Sequence, residues 1–139
     1  MTGIRTDNAP KPVGLYPHSR RVGNLLFLSG IGPRRAQDDS IPGLELDSCG
    51  NIVKYDIELE CHSVFKNIKS ILDDSGSSWD NIVDVTVFLT NMKDDFDAYN
   101  KIYSKYFKNN QPTRTTLEVL SLPTPIAIEL KCIAVIGDK

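Results

Sequence analysis

At 139 residues, 40% of them hydrophobic, the chain is long enough to bury one core, so a single domain over residues 1–139 is expected without metal or disulfide staples. A net charge of −2 leaves no basic excess for a phosphate backbone, which argues against nucleic acid as a partner, and no apolar run approaches the roughly 20 residues of a membrane span. Cys49, Cys61 and Cys132 are odd in number and form no C-x-x-C pair, which excludes a disulfide framework and leads to the expectation of a reducing compartment, the cytoplasm.

Residues 1–12 are polar and carry Pro10 and Pro12, which predicts a loosely held segment without the apolar core of a signal peptide. Val22 to Ser29 reads as a turn at Gly23-Asn24 followed by a short buried strand that Gly30 ends. From Pro33 to Gly50 the composition predicts a long exposed loop with room for a short strand. Between Asp56 and Ser75 the residues Ile57, Cys61, Val64, Phe65, Ile68, Ile71 and Leu72 recur at helical spacing, predicting a helix with one apolar stripe that stops at Ser75-Gly76. Ile82 to Leu89 is rich in β-branched residues and predicts a central strand. Asp94 to Lys108 predicts a second helix, with Phe96, Tyr99, Ile102, Tyr103 and Tyr106 read as packing. Two strands close the chain, near Arg114 to Leu120 and Ile126 to Ile136, separated by Pro123-Thr124-Pro125.

That order predicts an α+β architecture, two helices packed on one face of a mixed β-sheet. The other face is then bare and apolar, and copies of the same chain are the economical cover.

Arg114 and Glu129 interrupt segments that otherwise read as buried sheet. A planar guanidinium at the start of a strand is a ready anchor for a carboxylate, and a glutamate in a sheet can order a water. A salt bridge stapling the two strands explains the same residues equally well. Metal chemistry finds no support: His18 and His62 are the only histidines and neither has ligand spacing. Ser29 lacks a nucleophile elbow, Cys132 reads as a small buried hydrophobe, and Gly30-Ile31-Gly32-Pro33 is no phosphate cradle. The pairs Arg20-Arg21 and Arg34-Arg35 flank the strand ending at Ser29-Gly30, either as a second anionic anchor or as a solvated rim. Tyr16 fits a pocket hydroxyl or a ring over the core.

Tyr16, the Leu28-Ser29-Gly30 strand end, Val85 to Leu89, Phe96 to Asn100, the Pro112-Thr113-Arg114 entry and the Ile128-Glu129-Leu130 triplet together resemble the RidA (YjgF) family of enamine/imine deaminases over nearly the whole chain. The resemblance implies a chorismate mutase-like homotrimer with sites in the clefts between subunits, a small carboxylate substrate and no cofactor. It implies that Arg114 binds the carboxylate, that Glu129 positions or activates water, and that Tyr16, Ser29, Gly30 and Asn100 line the pocket. Thr116 stands where the family often has cysteine, which leaves a hydroxyl hydrogen bond in place of a thiol. The Arg34 to Cys49 insertion and the Tyr16 to Arg21 segment look more like the 2-aminomuconate deaminase branch, whose dicarboxylate would give Arg20, Arg21, Arg34 or Arg35 a purpose. The family also holds members named for translation inhibition, ribonuclease or chaperone-like effects, and a carboxylate-binding module is the alternative from another class.

A register follows for a pocket within one subunit: Thr116, and not Leu117, should lie opposite Glu129, because a Leu117–Glu129 row puts the charges on opposite faces. In the trimer, Arg114 is expected from one chain and Tyr16 or Asn100 from a neighbour.

Overall fold

Asp56 opens the first helix, and its carboxylate accepts the Leu59 amide, one of the free donors of the first turn. In the computed structural model, which describes residues 3–137, this helix, α1, runs Ile57–Asp74 and buries Cys61, Val64, Phe65, Ile68, Ile71 and Leu72, the predicted stripe. Ser75 closes the last turn onto the Leu72 carbonyl, and Gly76 follows at φ 81°, a left-handed position that favours glycine. The second helix, α2, runs Met92–Tyr106 and starts before the predicted Asp94, because Asn91 supplies the cap by accepting the Asp94 amide.

The strands among the described residues are β1 (Gly3–Ile4), β2 (Ser19–Val22), β3 (Leu25–Leu28), β4 (Glu45–Leu46), β5 (Ile52–Lys54), β6 (Ile82–Leu89), β7 (Thr113–Glu118) and β8 (Ile128–Val135). One sheet has the order β1-β2-β3-β8-β6-β7, and β4 with β5 forms a separate hairpin, β4 being a short strand inside the predicted loop and β5 lying just beyond its end at Gly50. The central strand β6 pairs with β8 antiparallel and with β7 parallel, α2 making the crossover between β6 and β7. This is the predicted α+β class. Val85, Val87, Leu89, Leu26, Leu28, Ile128, Leu130 and Cys132 form the buried side beneath the helices. On the opposite side Phe27, Phe88 and Ile133 are half-buried and Leu25 and Leu117 are exposed, interspersed with Arg20, Thr86, Thr115 and Lys131, so the expected uncovered face is present and is apolar in part.

Two expectations fail. Far from being loose, the described part of residues 1–12 is tied down: β1 pairs with β2, Ala9 and Pro10 are buried, and the Thr6 and Asn8 side chains both hydrogen-bond Asp74 on α1. Buried His18 adds to this, its Nδ1 accepting from the Thr6 amide at 3.2 Å and its Nε2 standing 2.8 Å from the Pro10 carbonyl, a geometry that suits the neutral ring protonated on Nε2. The second failure is the register. Strands β7 and β8 do not pair with each other; each pairs with β6, and Phe88 lies opposite both Leu117 and Glu129. Residues of one cross-strand row share a face, so Leu117 and Glu129 point to the bare side while Arg114, in the row of Val85 and Cys132, points toward the helices.

Candidate active site

Arg114 leaves β7, an edge strand, on the helix side, where Asn100 of α2 meets it. Nη1 donates to Asn100 Oδ1 at 2.8 Å, and the guanidinium carbon lies 4.6 Å from the ring centre of Tyr103 and 5.5 Å from that of Tyr99. A cation over two aromatic faces is held flat and in place. Tyr99, Asn100 and Tyr103 reach it together because they occupy one side of a helical turn. Next along β7, Thr116 hydrogen-bonds the Tyr99 hydroxyl at 2.8 Å. The Tyr103 hydroxyl is buried with no partner among the described residues, and burial raises both phenols, which keeps them neutral donors. Asn100, Tyr103, Ser104, Gln111 and Arg114 line an open cleft. One of the five guanidinium N–H groups is committed to Asn100, leaving a fork available to an anion.

Glu129 belongs to a second cluster. The chain leaves β3 through Ser29, whose hydroxyl donates to the Pro17 carbonyl at 2.8 Å, and a two-way backbone bridge between Ile31 and Leu130 then holds it against β8. Gly30 is thereby pressed to the Glu129 carboxylate so closely that a Cβ there would stand 2.6 Å from Oε2. This is a close approach only glycine allows. Tyr16, Ser29, Gly30 and Arg34 share a small cavity beside it, and the Tyr16 hydroxyl accepts from the Val13 amide at 3.3 Å. No side chain among the described residues pairs with the Glu129 carboxylate, and burial raises its pKa above the ordinary glutamate value.

The residues singled out in the sequence therefore fall into two groups. Arg114, Asn100 and Thr116 stand on one side of the sheet at the β7 edge; Tyr16, Ser29, Gly30 and Glu129 stand at the other cluster. From β7 to β8 is two strand spacings, roughly 10 Å, before the difference of face is counted. The strand-stapling salt bridge is absent: the ion pairs among the described residues are Arg34–Asp39 and Lys69–Asp73. Of the two residues expected from a neighbour, Tyr16 or Asn100, Asn100 holds Arg114 within its own chain, which leaves Tyr16. Among the four arginines considered as a second anionic anchor, Arg34 lines the Tyr16 cavity while pairing with Asp39 at 3.0 Å and donating to the Lys11 carbonyl. Arg20 lies exposed on the bare face opposite Phe27. Arg21 and Arg35 join neither cluster, because they bond to the Gly23 carbonyl and the Ser40 hydroxyl. The i, i+4 spacing of Tyr99 and Tyr103 predicts packing and carries no sign that an arginine from another element lies over them.

The model of the family described as Endoribonuclease L-PSP matches residues 6–136. A RutC family protein of Pyrococcus abyssi is 38% identical over 131 residues, 94% of each chain. Reactive Intermediate Deaminase A, chloroplastic, of Arabidopsis thaliana is 34% identical over 131 residues, 94% of this chain and 64% of that one. The crystal structure of E. coli TdcF with bound serine superposes with a TM-score of 0.84 at 28% identity, covering 99% of this chain and 100% of the other. The chain therefore belongs to the Endoribonuclease L-PSP family, in which the RidA resemblance of its C-terminal signature also lies.

Proposed function

We propose that the protein hydrolyses a 2-amino-enoate to a 2-oxo acid and ammonia, in sites that copies of the chain build together. The observation that carries this reading is the division of Arg114 and Glu129 between opposite faces of one sheet, each inside its own polar cluster. A second copy whose β7 edge lies along the bare face of the first would bring its Arg114 cluster beside the first copy's Glu129 cluster, and a closed ring of three would repeat that contact and cover the bare face of every copy. The Arabidopsis relative bears the name of a deaminase, and TdcF holds serine, a small amino carboxylate.

In this mechanism the enamine takes a proton at its β-carbon, loses one from nitrogen and becomes the imine. Water adds to the imine carbon, a C–O bond forming as the C=N π pair moves to nitrogen. The nitrogen, once protonated, leaves as ammonia with the C–N pair, and loss of the hydroxyl proton completes the ketone. One water is consumed and one ammonia released, with no change of redox state, so the chemistry needs no cofactor. Arg114 would hold the carboxylate bidentately, steadied by Asn100 and the two tyrosine rings. Glu129 would take a proton from the attacking water and return it to the departing nitrogen, a task suited to a carboxyl whose pKa burial has raised. Tyr16, Ser29, Gly30 and Thr116 would complete the pocket. Free cysteines at 49, 61 and 132 support a cytoplasmic setting, and the net charge of −2 supports a small anion over nucleic acid as partner.

The substrate proposed is 2-aminomuconate, whose second carboxylate would meet Arg34 in the Tyr16 cavity or Arg20 on the bare face. Ammonia release from 2-aminomuconate and from 2-aminoacrylate, measured side by side, tests this. A kcat/KM at least about tenfold higher for the dicarboxylate is expected, since an added charge-assisted hydrogen bond contributes about 1.5–3 kcal/mol. Equal values would favour a broad-specificity 2-iminopropanoate deaminase. The serine in TdcF, an intact amino acid, favours a second reading, a small-carboxylate-binding regulatory module, and binding without turnover of either compound would select it.

Gly30→Ala separates geometry from folding. The added methyl meets the far end of the Glu129 side chain, not backbone, so the carboxylate moves and the fold survives. Misplacing a reacting group by about 1 Å costs on the order of a hundredfold, so kcat should fall by that much while the melting temperature stays near wild type. Near-normal kcat would mean that the observed Glu129 position is unimportant.

A further inference from the structure

Glu60 is a buried glutamate outside both clusters, and its contact with Ala127 falls two residues before Glu129 along the chain. Glu60, in the first turn of α1, is 0% exposed. Its Oε1 accepts from the Ala127 amide at 2.8 Å, and its Oε2 is buried with no partner among the described residues. The charged and titratable groups around it are Asp95 in the first turn of α2, Asp56 at the α1 cap, Tyr55 and the buried thiol of Cys61, with Asp94 beyond Asp95. Asp95 is itself buried and accepts from the Tyr55 hydroxyl at 2.6 Å. None of these groups is a cation. An ionised Glu60 would stand in an apolar helix–sheet layer beside a second carboxylate, the arrangement that most disfavours charge.

What Glu60 holds is the start of β8. The segment before it, Ser121-Leu122-Pro123-Thr124-Pro125, has two residues without an amide donor, and Ala127 is the point at which the chain is pinned on both sides, its amide to Glu60 and its carbonyl to the Thr90 amide. From Ala127 the strand proceeds to Ile128, buried beneath the helices, and then to Glu129 on the other face.

We propose that Glu60 is a positioning residue held as the neutral acid, and that it fixes the start of β8, and with it the place of Glu129, only while it stays protonated. An ionised carboxylate still accepts from the Ala127 amide but is drawn out of the apolar layer toward water, and the start of β8 loosens with it. Burial first, then the neighbouring Asp95 and Asp56 carboxylates, outweigh the Ala127 hydrogen bond and raise the Glu60 pKa from 4.5 to about 7. Because the folded value lies above the ordinary one, the contribution of Glu60 to stability is complete below 4.5 and is lost as the pH rises through about 7. The link to Glu129 rests on the deaminase reading above; the pinning of β8 does not.

The test compares wild type with Glu60→Gln, which keeps the acceptor oxygen and cannot ionise. Three quantities are followed on either side of pH 7: exchange of the Ala127 amide, corrected for its intrinsic pH dependence; melting temperature; and kcat. Wild type is expected to lose Ala127 protection and several degrees of melting temperature as the pH rises, whereas Glu60→Gln stays flat in both. The high-pH decline of kcat that wild type shows through this group should be missing from the variant. Identical pH dependence of Ala127 exchange in the two proteins overturns the proposal, and so does a flat exchange profile with an unchanged kcat profile, since Glu129 would then be indifferent to Glu60. If neither protein turns over the substrates named above, the deaminase reading falls, and the Ala127 comparison still decides whether Glu60 is the protonated pin.

Discussion

Arg114→Lys is expected to lower kcat/KM by roughly 10- to 100-fold in a protein that remains folded. The charge survives this substitution, so the loss isolates geometry. A guanidinium presents parallel N–H groups to both oxygens of a carboxylate, and lysine presents a point charge on a flexible stem. Here the guanidinium is also fixed before any ligand arrives, by the 2.8 Å bond to Asn100 and by the Tyr103 and Tyr99 rings beneath it. Lysine can neither donate to Asn100 from the same plane nor lie flat on the rings. Losing one charge-assisted hydrogen bond costs about 1.5–3 kcal/mol in transition-state binding, which is the range given above. Stability should change much less, because a cation over an aromatic ring at an exposed edge contributes only about 0.5–1 kcal/mol. Steady-state kinetics alongside thermal melts read both numbers. Activity within about threefold of wild type would remove Arg114 from the substrate's carboxylate.

How far the chain could be read before folding depended on whether the signal was local. The first helix has every local mark: the Asp56 cap, the apolar stripe from Cys61 to Leu72 and the Ser75-Gly76 stop, and it forms where expected. The β-branched run of β6 was equally plain. Strand β2, Ser-Arg-Arg-Val, was missed because it is short and three of its four residues are exposed, so neither apolar alternation nor composition marks it. The pairing of β7 and β8 was beyond local reading. Strands joined by a proline-rich connection look like neighbours, but the parallel β6–α2–β7 unit places β7 beside β6, and β8 then takes the other side of β6. That one topological fact sends Arg114 and Glu129 to opposite faces. Their residue types and the chemistry these suggest were legible, and their separation within the subunit was not. Glu60 was hidden for a related reason: a glutamate in the first turn of a helix is an ordinary exposed residue by pattern, and only the packing of α1 on the start of β8 buries it.

Glu129→Gln should leave the fold and the Arg114 cleft intact and reduce kcat by about 10²- to 10⁴-fold, the contribution typical of a positioned acid–base group. Its effect on stability separates catalysis from structure by sign. The Glu129 carboxyl is partly desolvated, pairs with no cation among the described residues and has a raised pKa, so its ionised form is worse off in the folded chain than in the unfolded one. Its stability contribution is lost as the pH climbs past the ordinary glutamate range, and the amide, which cannot ionise, should melt at or above the wild-type temperature at neutral pH. A strand-stapling ion pair predicts the reverse, a lower melting temperature with normal turnover. The same variant tests where the site is built. Arg114→Ala and Glu129→Gln should each be inactive alone, since every site lacks one partner. Co-expressed and mixed at random, they should recover about a quarter of wild-type activity, because a site joining Arg114 of one copy to Glu129 of the next is intact whenever each copy supplies its unmutated half. A site confined to one chain could never be restored in this way. With Arg114 and Glu129 on opposite sheet faces, a mixture as inactive as its parents would mean that the two do not serve one reaction.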